Sequence, residues 1–303
     1  MTLTLADLRK IRTLTIIALF SDDDLVDTLV LKGGNALEIG YGIISRGSTD
    51  LDFSMRQEFS AIGLVTSEQI VEKLSKLLIK TFDEYRFPCI IHDVRLKEKP
   101  KTLDPLRANF WGGYELTFKL ISPENWDRYQ GNQGALMSKS LAVEGAGKSI
   151  SIDFGKYEYV GDITTTELMH YSIPIYTPTL IVLEKLRAIC QQMESYNKSI
   201  GKENFGKPRP RDFYDIYSVM TAPDLFVDLQ DVETVYHLKE CFKAKKVPLE
   251  LIAQIHTTRS FHKQEEGKLR DSILDQSSYQ GFDFYFDYVV KLIREKGIVA
   301  AVA

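Results

Sequence analysis

The chain has 303 residues, enough for one large domain or two medium ones, and 44% of them are hydrophobic, as in an ordinary globular protein. A net charge of −4 gives no sign of a general nucleic-acid binder. Three cysteines (Cys89, Cys190 and Cys241) without paired spacing point to a reducing compartment, against both a disulfide frame and a zinc site.

Leu5, Leu8, Ile11, Leu14 and Ala18 recur at helical spacing, so a helix is expected over Leu5–Phe20. The apolar run Leu14–Phe20 is short, contains Thr15 and is followed by acids, which does not read as a signal peptide. No run reaches the length of a membrane span, and a soluble cytoplasmic protein is expected. Ser21 is expected to cap a short helix whose first turn carries Asp22, Asp23 and Asp24, acids that suit the positive helix end and need no metal.

The stretch Leu31–Ser54, LKGGNALEIGYGIISRGSTDLDFS, reads as strand, glycine turn, short helix, loop and second strand. Adjacent Gly33 and Gly34 let the backbone turn tightly and approach a ligand. Asn35 is expected as the N-cap of a helix through Ala36, Leu37 and Glu38, ended by Gly40 and Gly42. Free amides at that helix start favour an anion such as a phosphate. Residues two apart on a strand share a face, so Asp50 and Asp52 present two carboxylates together while Leu51 and Phe53 point inward. Two like charges so placed are costly without a cation between them, and hard oxygen ligands of this kind suit Mg²⁺. The competing reading is a surface hairpin with two acidic residues.

The string Gly-Gly, helix, Asp-x-Asp resembles the nucleotidyltransferase superfamily of the polymerase-beta type. LKGGNAL followed by RGSTDLDF is similar, more closely, to its AbiEii/MenT branch of bacterial abortive-infection and toxin–antitoxin toxins. The fifteen residues between Gly34 and Asp50 are long for the superfamily but normal for this branch. The resemblance implies an α+β fold: an N-terminal mixed sheet flanked by helices, then a C-terminal helical domain. It further implies an NTP substrate, Mg²⁺ or Mn²⁺, a cognate antitoxin, and as acceptor either RNA, at the 3′ end of tRNA, or a protein hydroxyl. Arg46 and Ser48 join Gly33, Gly34 and Asn35 as expected nucleotide contacts.

Thr66-Ser67-Glu68 opens an expected helix to about Tyr85, with Ile70, Leu74, Leu77, Leu78 and Phe82 as its stripe. Strands are expected over Phe87–Lys97 and Tyr114–Ile121. Ser122–Val143 reads as a helix or loop excursion at the sheet edge. In SISIDFG, Ser149–Gly155, the apolar residues Ile150, Ile152 and Phe154 face one way and Asp153 the other. Asp is disfavoured in strands. It either makes a strand-end turn beside Gly155 or, as the resemblance implies, supplies the third carboxylate of a metal triad with Asp50 and Asp52. Tyr157–Ile175 is expected to be extended and hairpin-like, with His170 in a packing or surface role.

Thr177-Pro178 starts a helix expected to run to about Tyr196, and composition turns helical there. The expected boundary therefore divides 1–176 from 177–303. Lys185 and Arg187 lie off the stripe of Leu183, Leu186, Ile189, Cys190 and Met193. Arg209-Pro210-Arg211-Asp212 opens another helix, with Asp212 and Asp215 one turn apart on one side. EKLRA, a basic loop and RDFYDIY also resemble the AbiEii/MenT branch, which implies that Lys185 reaches the phosphates and Asp212 lies at the catalytic centre. Asp215 either joins them or holds helices together. Between Glu184 and Arg211 seven Lys/Arg (185, 187, 198, 202, 207, 209, 211) face three Glu (184, 194, 203), an excess that suits a triphosphate or RNA backbone and places Arg211 among the nucleotide contacts. The tail reads as four or five helices with Phe282, Tyr285, Phe286 and Val289 as a buried aromatic face.

Overall fold

The computed structural model describes residues 2–43, 50–100, 104–143, 147–202 and 206–298. The strands are β1 (Thr2–Leu3), β2 (Leu29–Leu31), β3 (Leu51–Met55), β4 (Ile90–Lys99), β5 (Gly113–Ile121), β6 (Ala142–Val143), β7 (Ile150–Gly155), β8 (Ile163–Leu168) and β9 (Tyr171–Tyr176). Seven of them form one mixed sheet in the order β4-β5-β7-β3-β2-β9-β8, while β1 and β6 pair separately. Within the sheet β3 runs parallel to β7 and β2 parallel to β9; the other neighbours are antiparallel.

The helices are α1 (Leu5–Phe20), α2 (Asp23–Thr28), α3 (Gly33–Tyr41), α4 (Ser67–Glu84), α5 (Pro123–Tyr129), α6 (Gln133–Lys139), α7 (Pro178–Cys190), α8 (Glu194–Ser199), α9 (Pro210–Thr221), α10 (Val232–Ala244), α11 (Arg259–Lys263), α12 (Glu266–Arg270) and α13 (Phe282–Glu295). Shorter 3-10 segments occupy Phe59–Ile62, Leu249–Thr257 and Gln276–Ser278. Helices α1 and α4 pack together, and α4 lies against β4; beyond the sheet, α7 packs on α9 and α10, and α9 on α13. This is the expected mixed sheet flanked by helices and followed by helices. Buried hydrophobic side chains from Leu3 to Ile298 form one contiguous core.

Alternation on the two central strands decides which side chains reach that core. Leu51 and Phe53 of β3 are fully buried, and so are Ile152 and Phe154 of β7. Phe53 and Phe154 stack with ring centroids 5.8 Å apart. The intervening Asp52 and Asp153 are therefore set on the opposite face. In the tail, Phe213 packs on Phe282 and Phe286 at 5.5 and 5.1 Å, so that aromatic face is core.

Local expectations fail where a tertiary partner outbids a propensity. Asn35 is not the N-cap of α3. That position is Lys32, and Asn35 is buried one turn in, where its Nδ2 donates to the Asp50 carbonyl at 2.7 Å. The cap of α2 is Asp22 instead of Ser21, accepting from the Leu25 amide at 3.2 Å. Asp22 and Asp24 also pair with Lys73 at 2.9 and 2.8 Å, so these acids tie α2 to α4. Helix α7 stops at Cys190, short of Tyr196, and α8 starts afresh at Glu194. The segment Ser122–Val143 is ordered as α5, α6 and β6.

Candidate active site

A cleft of about 710 Å³ lies between the ends of β2, β3, β7 and β5 and the helices α7 and α9. That is a usual volume for a pocket that takes a nucleotide-sized ligand. Asp50, Asp52 and Asp153 all line it. Antiparallel pairing holds β2 beside β3, and parallel pairing puts Asp52 directly opposite Asp153 in the β3/β7 register. The next strand continues the row, with Glu115 of β5 opposite Asp153. Asp52 has its pKa raised, first by burial and then by the charges of Asp153 and Asp50, against the opposing pull of Lys32. Asp153 is engaged by Lys99, whose ammonium sits 2.7 Å from its Oδ1 and 3.1 Å from Glu115 Oε1.

Gly33 and Gly34 line the cleft at the mouth of β2. Gly33 has φ +67°, and a Cβ on it would stand 3.3 Å from Asp52 Oδ2, so glycine is what brings the α3 amides close to the carboxylate row. Arg46 and Ser48 lie outside the described residues. Beneath the turn is a buried charge network. Lys32 Nζ is 2.5 Å from Glu158 Oε2, and Ser54 Oγ bonds both that carboxylate and, at 2.6 Å, the Tyr176 hydroxyl. Burial alone would raise the Glu158 pKa; Lys32, Lys245 and Arg187 outweigh it and hold the group at about 2. A Cβ on Gly155 would fall 2.6 Å from Glu158 Oε2, which reserves that strand end for a residue without a side chain.

The helical wall carries a second buried cluster. Lys185 Nζ is 3.1 Å from Asp212 Oδ1 and 2.5 Å from Asp215 Oδ2, all three side chains being at most 9% exposed. Asp212 also accepts from the Arg209 guanidinium. Burial would raise the Asp212 pKa, but Arg209 and Lys185 more than offset it and hold the carboxyl well below the usual range. Arg187 is likewise buried, donating to Gln191 and Glu184. Lys185, Arg209, Arg211 and Asp212 face the same cleft as the carboxylate row.

The family model for the nucleotidyl transferase AbiEii toxin, a Type IV toxin–antitoxin system, matches residues 16–290. The chain belongs to this AbiEii family. Among solved structures, JHP933 from Helicobacter pylori is similar at 14% identity and TM-score 0.41, covering 98% of this chain and 96% of that one. An antigenic nucleotidyltransferase-like protein from Paracoccidioides brasiliensis follows at 15% identity and TM-score 0.38, with coverage of 81% and 93%. MenT4, a nucleotidyltransferase toxin from Mycobacterium tuberculosis, is similar at 14% identity and TM-score 0.28, with coverage of 93% and 91%. No curated protein sequence matches the chain.

In this AbiEii protein the family is that of a nucleotidyl transferase, and the mixed sheet flanked by helices accords with it. Of the residues singled out from sequence, Asp50, Asp52, Asp153, Gly33, Gly34, Lys185, Asp212 and Arg211 share the cleft. Asn35 is placed behind it, steadying the β3 backbone at Asp50. Asp215 joins α7 to α9 through Lys185. As hard-oxygen donors, Asp50 and Asp52 fit a Mg²⁺-type ion, which takes one or two carboxylates and completes its shell from phosphates and water. Asp52, whose proton affinity is raised by burial and then by its acidic neighbours, is a group a divalent ion would relieve. Among the described residues no group of three His, Cys, Asp or Glu is gathered to hold a metal ion by itself, and the Lys99 ammonium is what occupies Asp153.

Residues missed from sequence are the buried charges Lys32, Glu158 and Lys245 and the imidazole of His262. Lys32 and Glu158 are 126 positions apart, and their one local signal is a Lys ending an apolar strand run. His262 is fully buried; its Nδ1 accepts the Arg209 amide at 2.9 Å and so fixes the start of α9, while Nε2 has no partner among the described residues. Burial drops its pKa to about 4. The unfolded chain takes up this proton near pH 6.5 and the folded protein only near 4, so the His262 contribution to stability is full above 6.5 and falls by up to about 3 kcal/mol between those values. His92, also lowered by burial, adds a slope of the same sign. Denaturant titrations at pH 7 and pH 4.5 are expected to show this loss, and His262→Phe should flatten the slope by His262's share.

Proposed function

We propose that the chain is a metal-dependent nucleotidyltransferase toxin that moves NMP from an NTP to a hydroxyl of RNA, such as a tRNA 3′ end, or of a protein, with release of pyrophosphate. The observation that carries this reading is the single cleft lined both by the carboxylate row Asp50, Asp52 and Asp153 and by the Gly33-Gly34 turn at the start of α3. In this reading Asp50, Asp52 and Asp153 hold Mg²⁺ or Mn²⁺, and the bound metal supplies charge neutralisation at the α-phosphate and leaving group. The α3 amides receive the outer phosphates. Lys185 and Arg211 place positive charge opposite the row, and Asp212 sets the position of Lys185. The acceptor oxygen forms a bond to Pα as the Pα–O bond to pyrophosphate breaks, and pyrophosphate departs with the electron pair. The acceptor proton goes to a carboxylate of the cleft.

Support for a toxin comes from the family, which also implies a cognate antitoxin and a role in abortive infection of phage-challenged cells. A cytoplasmic setting accords with three unpaired cysteines; among the described residues no helix is long and apolar enough to cross a membrane. Purified protein incubated with each NTP and total RNA, labelled in parallel at the α- and γ-phosphate, tests the reading. The α-label is expected in the RNA or protein fraction and the γ-label in pyrophosphate. Transfer of γ-label would make the protein a phosphoryl transferase on this fold. Retention of both labels in intact NTP would make it a nucleotide-binding module. Growth arrest on expression without added drug separates a toxin from a small-molecule transferase.

A further inference from the structure

Outside the carboxylate row and the helical cluster, the cleft has a third wall. Trp111 stands just before β5, is half-buried and lines the cleft. The Lys202 ammonium lies 3.9 Å from the centroid of its indole ring. Arg107 and Lys207 are close enough that, after burial, their positive charges are what lower the Lys202 pKa. Arg107 pairs with Asp104 at 2.9 Å, but among the described residues neither Lys202 nor Lys207 has a carboxylate partner. An aromatic face backed by cations, two of them without a carboxylate partner among the described residues, is the combination that single-stranded nucleic acid uses: bases stack, and phosphates meet the charges.

Sheet order says which nucleic acid belongs there. The glycine turn is at the end of β2, and the row then runs through β3 and β7 to β5. With neighbouring strands ~4.8 Å apart, Trp111 is roughly 14 Å across the sheet from the phosphate turn. Displacement at phosphorus is in line, so the attacking hydroxyl enters opposite the leaving pyrophosphate. If pyrophosphate leaves on the β2 side, the acceptor comes from the β5 side, where Trp111 stands.

We propose that Trp111, with Lys202 across its ring and Arg107 and Lys207 at its flank, is the acceptor subsite, stacking a terminal base of a single-stranded RNA 3′ end and meeting its phosphates. The assignment rests on the nucleotidyl-transfer reading above and selects RNA over a protein hydroxyl as acceptor. Stacking of one base on an aromatic ring corresponds to roughly 5- to 150-fold in affinity.

The test has an arm that needs no catalysis. The sequence has two tryptophans, so Trp126→Phe leaves Trp111 as the sole reporter. Titration of that protein with a 12-nucleotide single-stranded RNA is expected to quench its fluorescence, with inorganic triphosphate giving no comparable quench and Lys202→Gln weakening the RNA effect. In steady-state assays Trp111→Leu and Lys202→Gln are expected to raise KM for RNA 5- to 150-fold and change KM for NTP less than twofold, while Trp111→Phe keeps most of the RNA affinity. A raised KM for NTP instead would assign the platform to the donor base and overturn the proposal. So would an unchanged KM for RNA with no quenching, or labelling of protein alone that ignores Trp111→Leu. Quenching by RNA without nucleotide transfer would leave the subsite standing and remove the reaction; transfer to RNA indifferent to Trp111 would do the reverse.

Discussion

Asp52→Asn is expected to lower the rate of nucleotide transfer by about three orders of magnitude while leaving the protein folded, and in metal-free buffer more resistant to heat. The loss of rate follows from the place of Asp52 at the centre of the carboxylate row, between the glycine turn and Asp153. Removing one preorganised group that meets developing charge in an enclosed site costs ~10²–10³-fold, and a metal ligand sits at the upper end or beyond. The gain in stability follows from its raised pKa, caused by burial and then by Asp153 and Asp50. The folded protein binds this proton more readily than the unfolded chain does. Its contribution is therefore favourable at low pH and is lost as pH climbs from the ordinary carboxyl value through the raised one. Asparagine carries no such charge, so its advantage should be absent at pH 3.5 and present at pH 7. Thermal melts with and without Mn²⁺ add a readout independent of turnover. Wild-type stability should rise by about 2.7 kcal/mol when the ion is at a hundred times its Kd, and the variant should lose most of that gain. A variant that transfers nucleotide at the wild-type rate, or is stabilised equally by Mn²⁺, would remove Asp52 from the site.

What the sequence discloses of this site is what has a short period. Asp50-x-Asp52 and the alternation of Ile150, Ile152 and Phe154 around Asp153 are visible because strand side chains change face at every residue. That the two strands are neighbours and put Asp52 opposite Asp153 is a matter of sheet order, and no local pattern encodes it. Asn35 shows the opposite error: a strong capping preference marks it as a helix start, yet the Asp50 carbonyl fifteen residues on claims its amide. The apolar stripe of α7 identified its most apolar face but could not tell that the remaining faces are covered too, by β9, α9 and α10. Lys185 and Arg187 therefore read only as cations off the stripe, and their burial was not legible; each is compensated by carboxylates that the chain brings from elsewhere or from the preceding turn. The Lys32–Glu158 pair was illegible for the same reason, since a buried ion pair is defined by its partner, 126 positions away.

Lys185→Met is expected to destabilise the protein by about 3–5 kcal/mol, because it keeps the side-chain length and leaves Asp212 and Asp215 buried without the ammonium they share. At about 2 °C per kcal/mol for a chain of this size, the melting temperature should fall by some 6–10 °C. Asp212 retains Arg209, and Asp215 is 1% exposed, so neither carboxylate is returned to water by the change. Adding Asp215→Leu removes one of the two carboxylates that Lys185 serves, and the double variant should regain stability relative to the sum of the single changes by about 2 kcal/mol or more, the coupling expected of groups in direct contact. That recovery turns a stability experiment into a test of function. If Lys185 also faces the triphosphate across the cleft, the restored double variant will be folded yet will still show a raised KM for NTP and a lower kcat, because the positive charge is missing from the wall opposite the carboxylate row. Were the double variant to recover transfer together with stability, Lys185 would be a strut between α7 and α9, and the charge facing the phosphates would have to come from Arg209 or Arg211, which line the same wall.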